Sequence, residues 1–464
     1  MISYNSFFTL KNMKITELSA ISPIDGRYSK LVDSLQGIFS EYALIKYRIL
    51  VEIEWFIHLH KQSILPKLTT GSMTFLTKLQ KEFSLKEAKK IKSIEKKTNH
   101  DVKAVEYYLK DQFRKTKQLK GMVEFIHFGC TSEDINNIAY ALMVKDASRL
   151  LLKNDISKLN TLLKKKAHQF AENPMISRTH GQLATPTTVG KELANFSYRL
   201  DIILEDLYQT NLSAKMNGAV GNYNAHLVAY PKADWEKISR TFVNKLGLEW
   251  SPYTTQVEPK DNMARLFHNH ERLNNVLLDF CRDMWGYISL DYFSQKTTKG
   301  EVGSSTMPHK INPIDFENAE GNLDLANSIF HFLSSKITKS RWQRDLSDST
   351  SMRNIGSCFA YTLIALSSLI KGINKLQINE KIINRDLEDA WEVLTEAIQT
   401  VMRKHHIEGG YEVMKEISRG KNIKKEDLHS IINSLDIPTV EKNKLLKLTP
   451  SNYLGLSKKL AKQI

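Results

Sequence analysis

Residues 263–288 read MARLFHNHERLNNVLLDFCRDMWGYI, and their apolar side chains follow the spacing of one helical face. The apolar positions of this stripe are Met263, Leu266, Phe267, Leu273, Leu277, Phe280, Met284 and Ile288. They lie three or four residues apart, except for a wider gap around His270. Residues at that spacing share one face of an α-helix, so the stretch predicts a long helix with one buried side.

Prolines leave room for further long helices on both sides of this stretch. The tracts 67–173, 260–307 and 314–437 contain no proline, the residue that most strongly interrupts a helix interior. A second helix is predicted to begin at Thr131, which can form a capping pair with Asp134. Its apolar stripe continues through Ile135, Ile138, Leu142, Leu150 and Leu151. Alternating strand patterns are scarce, with Tyr253–Val257 as a weak candidate, so the sequence predicts an all-α protein.

The predicted helices divide the chain into three helical domains. Residues 1–120 contain shorter helices with charged connectors, residues 121–374 hold the long-helix bundle, and residues 375–464 are again charged and punctuated by glycines. A chain of 464 residues is long enough for two or three domains with a large core.

Composition and charge narrow the class of protein. Hydrophobic residues make up 41% and charged residues 25% of the chain, as is ordinary for a soluble globular protein. The net charge is +15, but the lysines of 86–97 are mixed with glutamates, which indicates a solvated helix face. No zinc finger, helix-turn-helix or aromatic RNA-binding pattern occurs, so nucleic acid is not expected as the partner. A positive field can instead attract a polyanionic small substrate.

Three further features predict a cytoplasmic protein. Cys130, Cys281 and Cys358 lie far apart, without the spacing of a metal site or a disulfide framework. The first dozen residues lack a basic start followed by a long apolar stretch, so we expect no secretory signal. The apolar run 354–370 is shorter than the ~20 residues of a membrane span. We interpret it as a buried core helix and expect no membrane association.

The polar stretch Gly303–Pro313 reads GSSTMPHKINP and combines hydroxyls, an imidazole, an ammonium and an amide. Its glycine and adjacent serines suit a tightly turning loop. Lys310 and Asn312 are two residues apart and precede Pro313, so they are expected on extended backbone. Such a loop can present a basic hydroxyl together with cationic groups for carboxylates. An ordinary polar loop, with Ser304 and Ser305 merely making the turn flexible, is the alternative.

The stretch 303–313 closely resembles the signature loop of the fumarase/aspartase superfamily, whose members release fumarate from succinyl-type substrates. Five further segments resemble one nucleotide-cleaving branch of that superfamily in its bacterial form: SPIDGRY at 22–28, TNHDV at 98–102, HFGCTSED at 127–134, SRTHGQ at 177–182 and RWQRDLSDSTSMR at 341–353. The similarity begins near residue 15, so residues 1–12 are expected to be an extension. The resemblance implies a three-part helical plan whose long helices pack into a homotetramer.

The resemblance implies an enzyme of purine biosynthesis that eliminates fumarate from a succinylated purine nucleotide, leaving AMP. It also implies cleavage of the related succinylated imidazole carboxamide nucleotide. Such a reaction removes a weakly acidic proton beside a carboxylate and expels an amine, so it needs a base, an acid and stabilisation of negative charge.

By resemblance, Ser305 is the base, and because a serine is a poor base its surroundings must activate it. His180 is the acid, since imidazole exchanges protons near neutral pH. Glu317 is expected to orient His180, and Lys310 to stabilise the developing charge. His309 is a rival acid. The resemblance further implies that His180 and Ser305 of one site come from different chains of the tetramer.

The resemblance also implies a set of substrate ligands. The expected phosphate ligands are Arg27, Tyr28, Arg344, Ser349 and Arg353, because arginine binds phosphate in a bidentate fork. The other expected substrate-binding residues are Asn99, His100, Asp101, His127, Thr131, Ser132, Gln256, Thr306, Met307, His309 and Asn312. Simpler interpretations stay open: an N-cap for Thr131, structural roles for the histidines, and an exposed helix face on which Arg344 and Arg353 pair with Asp345 and Asp348.

Other enzymes and other classes of protein are the remaining alternatives. No glycine-rich phosphate loop, metal-binding helix or dinucleotide fingerprint occurs, so neither a cofactor nor a metal is expected. Argininosuccinate lyase, aspartase and fumarase share the loop, but they have no nucleotide phosphate to bind. A lyase fold kept as a binding protein would be indicated by loss of His180, Ser305 or Lys310, and all three are present. A basic protein that binds nucleic acid is the third class of protein that remains as an alternative, after an enzyme and a non-enzymatic lyase fold.

Overall fold

A computed structural model of the chain describes residues 14–297, 300, 306–420 and 423–464. Within these residues the protein is mainly helical, and its strands form three sheets of two strands each. The predicted all-α class is confirmed.

The helices up to residue 169 are α1 (Asp33–Phe39), α2 (Glu41–Lys61), α3 (Thr70–Lys81), α4 (Leu85–Thr98), α5 (Asp101–Phe113), α6 (Ser132–Leu151) and α7 (Ser157–Gln169). The following helices are α8 (Val189–Gln209), α9 (Asn224–Ala229), α10 (Trp235–Lys245), α11 (Asp261–Ser289), α12 (Ile314–Lys336), α13 (Ser347–Met352) and α14 (Ile355–Lys375). The last are α15 (Glu380–Glu388), α16 (Thr395–Lys404), α17 (Gly410–Ser418), α18 (Lys425–Ser434), α19 (Thr439–Leu446) and α20 (Ser457–Gln463). Short 3-10 helices occupy Leu119–Phe125 and Trp391–Leu394, and a π-helix occupies Leu152–Ile156.

The strands are short and pair locally. They are β1 (Pro174–Thr179), β2 (Gln182–Thr188), β3 (Ser213–Ala214), β4 (Glu249–Trp250), β5 (Phe293–Gln295) and β6 (Leu376–Ile378). The pairs β1–β2 and β5–β6 are antiparallel, and β3–β4 is parallel. The strand predicted at Tyr253–Val257 is wrong: the structure leaves this segment irregular.

The two helices predicted from apolar periodicity are confirmed as α6 and α11. The gap in the α11 stripe at His270 has a physical explanation, because this side chain is fully buried as part of the core. Its ring stacks on Phe330 with centroids 5.4 Å apart, and its Nε2 lies 3.0 Å from the hydroxyl of Ser148. Burial lowers the pKa of His270 to about 3, so the imidazole stays neutral and fills an apolar position.

The chain divides into two compact units, each built from separate stretches of sequence. The first comprises the residues up to Asp155 together with Ile203–Asn275 and Gly321–Ser367. The second comprises Ile156–Ile202, Val276–Glu320 and Ser368–Ile464. One boundary falls inside the π-helix Leu152–Ile156, and the other four fall inside the long helices α8, α11, α12 and α14. The predicted three-domain division of the sequence stays a prediction.

Each unit has its own aromatic core. In the first, Phe330 and Phe359 pack with ring centroids 5.4 Å apart, and Phe267 lies 5.6 Å from Phe330. In the second, Phe280 contacts Phe196 at 5.3 Å and Phe316 at 6.1 Å. The long helices supply these residues, which is the role that their apolar stripes predict.

The segment Ser347–Lys375 is the described part of the chain that is long and apolar enough to cross a membrane by length and composition. Of its most apolar window, 61% is buried inside the protein. Core helices of soluble proteins pass the same test, and α14 forms most of this segment. The interpretation of 354–370 as a buried core helix is confirmed.

Candidate active site

A polar cleft in the first unit brings together many of the expected substrate ligands. Its volume is about 490 Å³. The residues that line it are Glu95, Asn99, His100, Asp101, Thr131, Ser132, Asn136, Gln256, Arg344, Leu346, Ser349 and Arg353. These residues come from four separate parts of the sequence, and the folding of the chain brings them together into one surface. We call it the polar cleft.

The N-terminus of α6 forms one wall of the polar cleft. Thr131 is the N-cap residue, and its backbone N–H donates to Oδ2 of Asp134 at 2.8 Å, so the predicted capping pair is confirmed. Asp134 is itself fully buried, 3.0 Å from the equally buried ammonium of Lys215. This anchoring fixes the first turn of a helix whose N-terminal amides and dipole favour a bound anion.

The junction between α4 and α5 also lines the cleft. Asn99 ends α4 in the left-handed region with φ of 49°, which turns the chain sharply. His100 then caps α5, and its Nδ1 accepts the backbone N–H of Lys103 at 3.2 Å. The ring is therefore held in a fixed orientation at the edge of the cleft, with 52% of its side chain exposed.

Asp101 serves as an anchor for two arginines. Its Oδ2 lies 2.7 Å from the buried Arg48 and 3.0 Å from Arg353. Burial by itself raises the pKa of this carboxyl, but the charge of Arg48, a backbone bond from Val102 and the charge of Arg353 outweigh it. The pKa of Asp101 therefore lies below its ordinary value. As a fixed anion, Asp101 holds Arg353 at the cleft.

Arg344 and Arg353 do not pair as the exposed-face alternative requires. Arg344 is 17% exposed, and its Nη1 donates to Oε2 of Glu133 at 2.7 Å. Arg353 pairs with Glu41 at 2.6 Å as well as with Asp101. Both guanidinium groups thus line the polar cleft, held by acidic partners from distant segments. A guanidinium has five N–H donors, so one such bond leaves others to meet an anion.

Gln256 reaches the cleft from an irregular loop. Its Nε2 donates to the carbonyl of Ala219 at 2.9 Å, and its backbone N–H donates to the carbonyl of Gln343 at 3.3 Å. The same loop packs closely against Gly221, which has φ of 85° and whose Cβ, if present, would lie 2.4 Å from the carbonyl oxygen of Thr254. The amide of Gln256 is therefore positioned by backbone contacts.

His127 lies in the first unit but is not among the residues that line the polar cleft. Its Nδ1 is 2.6 Å from Oε1 of the fully buried Glu52. Burial lowers the pKa of His127, but the charge and hydrogen bond of Glu52 outweigh it, so the pKa lies above its ordinary value. The imidazolium form of His127 is therefore more populated than in a free histidine, and its positive charge suits an anionic ligand.

Arg27 and Tyr28 also lie outside the lining of the polar cleft. Arg27 is exposed, with its guanidinium 5.8 Å from the ring centre of Tyr28. The structure of this chain does not bring the pair together with Arg344 and Arg353 at the cleft.

His180 stands at the tip of the β1–β2 hairpin in the second unit. Thr179 pairs with Gln182, so His180 and Gly181 form the two-residue turn, with φ of 53° and 76°. Positive φ at both positions is typical of a type I′ turn and is unfavourable for a histidine. The hairpin thus presents an exposed imidazole at its end.

The described part of the signature loop, residues 306–313, also belongs to the second unit. Ser305 and the residues before it in the loop lie outside the described residues. Thr306, Met307, His309 and Lys310 are exposed, and Asn312 is half-buried. The backbone N–H of Lys310 donates to the carbonyl of Met307 at 3.1 Å, which closes a turn, and the chain then runs without helix to Pro313.

Glu317 lies in the first turn of α12, directly after the loop. Its Oε1 accepts a hydrogen bond from the indole N–H of Trp285 at 3.2 Å. Within the described part of this chain, Glu317 and His180 share no hydrogen bond. The expected pairing of the two stays a prediction.

Sequence reasoning did not single out several buried charged residues around the cleft. They are Arg48, Glu52, Glu133, Glu258 and Lys260. Glu133 stands inside a quoted motif, and Glu258 and Lys260 follow Gln256 closely, but spacing alone gave no signal of their contacts. Their partners lie far away in the sequence, as with Glu133 and Arg344.

Two family models match the chain. The one described as "Lyase" covers residues 26–324, and the one described as "Adenylosuccinate lyase C-terminal" covers residues 340–454. The first alone spans more than half of the protein.

Curated proteins of high similarity match nearly the whole chain. The adenylosuccinate lyase of Legionella pneumophila (strain Corby) is 53% identical over 453 residues, 97% of this chain and 99% of that protein. The one from Buchnera aphidicola subsp. Schizaphis graminum is 50% identical, over 97% of this chain and 100% of that protein. The one from Escherichia coli (strain K12) is 49% identical, over 96% and 98%.

Solved structures share the fold. A fumarate lyase from Mesorhizobium sp. BNC1 superposes with a TM-score of 0.75, at 16% identity, over 93% of this chain and 97% of that one. A β-carboxy-cis,cis-muconate cycloisomerase from Acinetobacter calcoaceticus sp. ADP1 gives 0.70, at 17% identity, over 94% and 99%. At such low identity the likeness concerns the fold alone.

Proposed function

This chain belongs to the adenylosuccinate lyase family, within the fumarase/aspartase superfamily, and we propose that it cleaves adenylosuccinate into AMP and fumarate. The reaction breaks one C–H bond and one C–N bond of the succinyl group, and the amine of AMP receives a proton. The same chemistry applies to succinylaminoimidazole carboxamide ribotide (SAICAR), which gives the corresponding amine (AICAR) and fumarate. No cofactor is needed for either step.

The observation that carries this proposal is the polar cleft. Arg344, Arg353 and Ser349 provide donors for a nucleotide phosphate, with arginine forks suited to its oxygens. Thr131 and Ser132 at the N-terminus of α6 suit a succinyl carboxylate. A substrate with a phosphate at one end and carboxylates at the other fits such a surface, whereas argininosuccinate has no phosphate.

The chemical step uses residues of the second unit. Ser305 takes the proton from the carbon beside a carboxylate, and Lys310 and Asn312 stabilise the negative charge that develops. His180, oriented by Glu317, gives its proton to the leaving nitrogen. Thr306, Met307 and His309 of the loop bind the substrate, and Gln256, His100 and His127 contact its polar groups.

Each active site is completed by other subunits of a homotetramer. His180 is exposed at a hairpin tip, and Arg27 and Tyr28 are not among the residues that line the polar cleft, as expected of residues that serve a neighbouring chain. The long helices also expose large apolar side chains: Tyr198, Ile202 and Tyr208 on α8, Trp285 on α11, and Leu325 and Phe332 on α12. Burial of these side chains between copies supplies the driving force for assembly.

The proposal includes the location and the domain plan of the enzyme. It acts in the cytoplasm, and its sequence comprises three helical domains, 1–120, 121–374 and 375–464.

The test is an ultraviolet assay of purified protein with adenylosuccinate, with argininosuccinate as the control substrate. We expect turnover of the first only, and loss of turnover in Ser305→Ala with binding of AMP retained. Absence of turnover by a folded wild-type protein would overturn the proposed activity. Near-normal turnover by Ser305→Ala would instead remove Ser305 as the base.

A further inference from the structure

A buried lysine lies behind the polar cleft and contacts two acidic residues. Lys260 is 3% exposed, and its Nζ is 3.4 Å from Oε1 of Glu133 and 3.4 Å from Oδ2 of Asp348. All three residues belong to the first unit, and none of them lines the cleft. The ammonium is thus the positive centre between two buried carboxylates.

Each of these carboxylates leads to a residue of the cleft. Glu133 accepts from Nη1 of Arg344 at 2.7 Å through its other oxygen. Asp348 lies in the first turn of α13, directly before Ser349, which faces the cleft. Lys260 therefore joins three segments: the first turn of α6, the loop that carries Arg344, and the start of α13.

The backbone of Lys260 is held in an unfavourable conformation. Its φ is 63°, a region that residues with a Cβ rarely adopt. The N–H of Lys260 donates to Oε2 of Glu258 at 2.8 Å, which fixes this geometry. Such conformations persist where the surroundings hold them, and they cluster at functional sites.

Removing the ammonium of Lys260 has two consequences, and both act against the binding of an anion. Glu133 and Asp348 would become buried anions without Lys260 to compensate them, and Oδ1 of Asp348 already has no hydrogen-bond partner in the described part of the chain. The negative charge behind Arg344 would also grow and oppose a bound phosphate. Both effects weaken the binding of an anion at Arg344.

We propose that Lys260 is a positioning residue for the nucleotide phosphate. It holds Arg344 through Glu133, and Ser349 through Asp348, in the arrangement that binds the phosphate, without touching the substrate. This role rests on the proposed function, because it concerns the phosphate of the nucleotide that the enzyme cleaves.

The experiment compares the two products as inhibitors of adenylosuccinate cleavage, since AMP carries the phosphate and fumarate carries only carboxylates. In Lys260→Met, the inhibition constant of AMP should rise by about tenfold or more, whereas that of fumarate should change by less than about twofold. The KM of adenylosuccinate should rise with little change in kcat. Lys260→Arg keeps the charge and should recover most of the affinity for AMP.

The matched control is Lys215→Met, which also removes a buried lysine paired with a carboxylate of the first turn of α6. It should lower the melting temperature without the selective loss of AMP affinity, because its partner Asp134 does not contact Arg344. If Lys260→Met does not fold, Lys260→Gly removes the ammonium while relieving the left-handed backbone.

A lower melting temperature with both inhibition constants unchanged, or raised equally, would overturn the positioning role and leave Lys260 as a structural residue. Failure of the wild type to cleave adenylosuccinate would be a failure of the proposed function itself. An active wild type with an unaltered AMP constant in Lys260→Met would refute only the inference about Lys260.

Discussion

Replacing Glu258 by glutamine should make the fold less sensitive to rising pH. Glu258 is 6% exposed, and its Oε2 accepts the backbone N–H of Lys260. Burial raises the pKa of this carboxyl to about 7, against the opposing N–H bond and charge of Lys260 and with support from the charges of Asp261 and Glu133. Glutamine keeps the size and the acceptor oxygen but never ionises.

The direction of this pH effect on stability follows from the number of protons that the folded and unfolded states bind. Between the ordinary pKa of 4.5 and the folded value of about 7, the folded protein keeps a proton that the unfolded chain has released. The stabilising contribution is therefore fully present below pH 4.5 and is lost as the pH rises to about 7. A difference of about 2.5 pKa units corresponds to about 3 kcal/mol.

The assay is urea unfolding followed by circular dichroism at fixed protein concentration, because the apparent stability of any protein that self-associates depends on its concentration. Between about pH 4 and about pH 8, the wild type should lose about 3 kcal/mol of unfolding free energy relative to Glu258→Gln. Glu82→Gln, at an exposed position, controls for loss of a carboxylate as such. Parallel pH profiles for wild type and Glu258→Gln would refute the reasoning.

Three further predictions concern the cleft and the start of the chain. Arg344→Lys should raise the KM of adenylosuccinate by about tenfold despite the conserved charge, because the guanidinium fork is lost; an unchanged KM would remove Arg344 from the phosphate site. Glu52→Gln should lower the pKa of His127, so that affinity for AMP falls off at a lower pH than in the wild type; superimposable pH profiles would contradict this. Deletion of residues 1–12 should leave turnover and melting temperature nearly unchanged, and a large loss of either would show that this segment packs or acts.

The sequence predicts the long helices well because their evidence is local. The apolar stripes of α6 and α11 depend on residues three and four apart, and helix hydrogen bonds have the same short reach. The weak strand at Tyr253–Val257 failed for the opposite reason. A strand needs a neighbouring strand, whereas the backbone N–H of Gln256 donates to the distant carbonyl of Gln343, which does not belong to a strand.

The candidate site is predictable in part. Motif resemblance predicts Thr131, Arg344 and Arg353 as substrate ligands, and all three line the polar cleft. The ion pairs that hold them were out of reach, because Glu133 and Arg344 are 211 residues apart and Lys260 is 127 residues from Glu133. Ion pairs of this kind depend on how distant segments pack, so they cannot be predicted from the spacing of residues in the sequence.

The central claim of the mechanism is that one active site takes His180 and Ser305 from different chains. The measurement that tests it most directly is complementation between two inactive variants, His180→Gln and Ser305→Ala. The two are mixed under conditions that let subunits exchange, exchange is verified with mass-tagged chains, and adenylosuccinate cleavage is then assayed. If each site takes His180 from one chain and Ser305 from another, about a quarter of the sites in randomly mixed tetramers regain both residues and activity returns to that extent. If verified exchange restores no cleavage, the two residues do not act at one site from different chains, and the mechanism is contradicted.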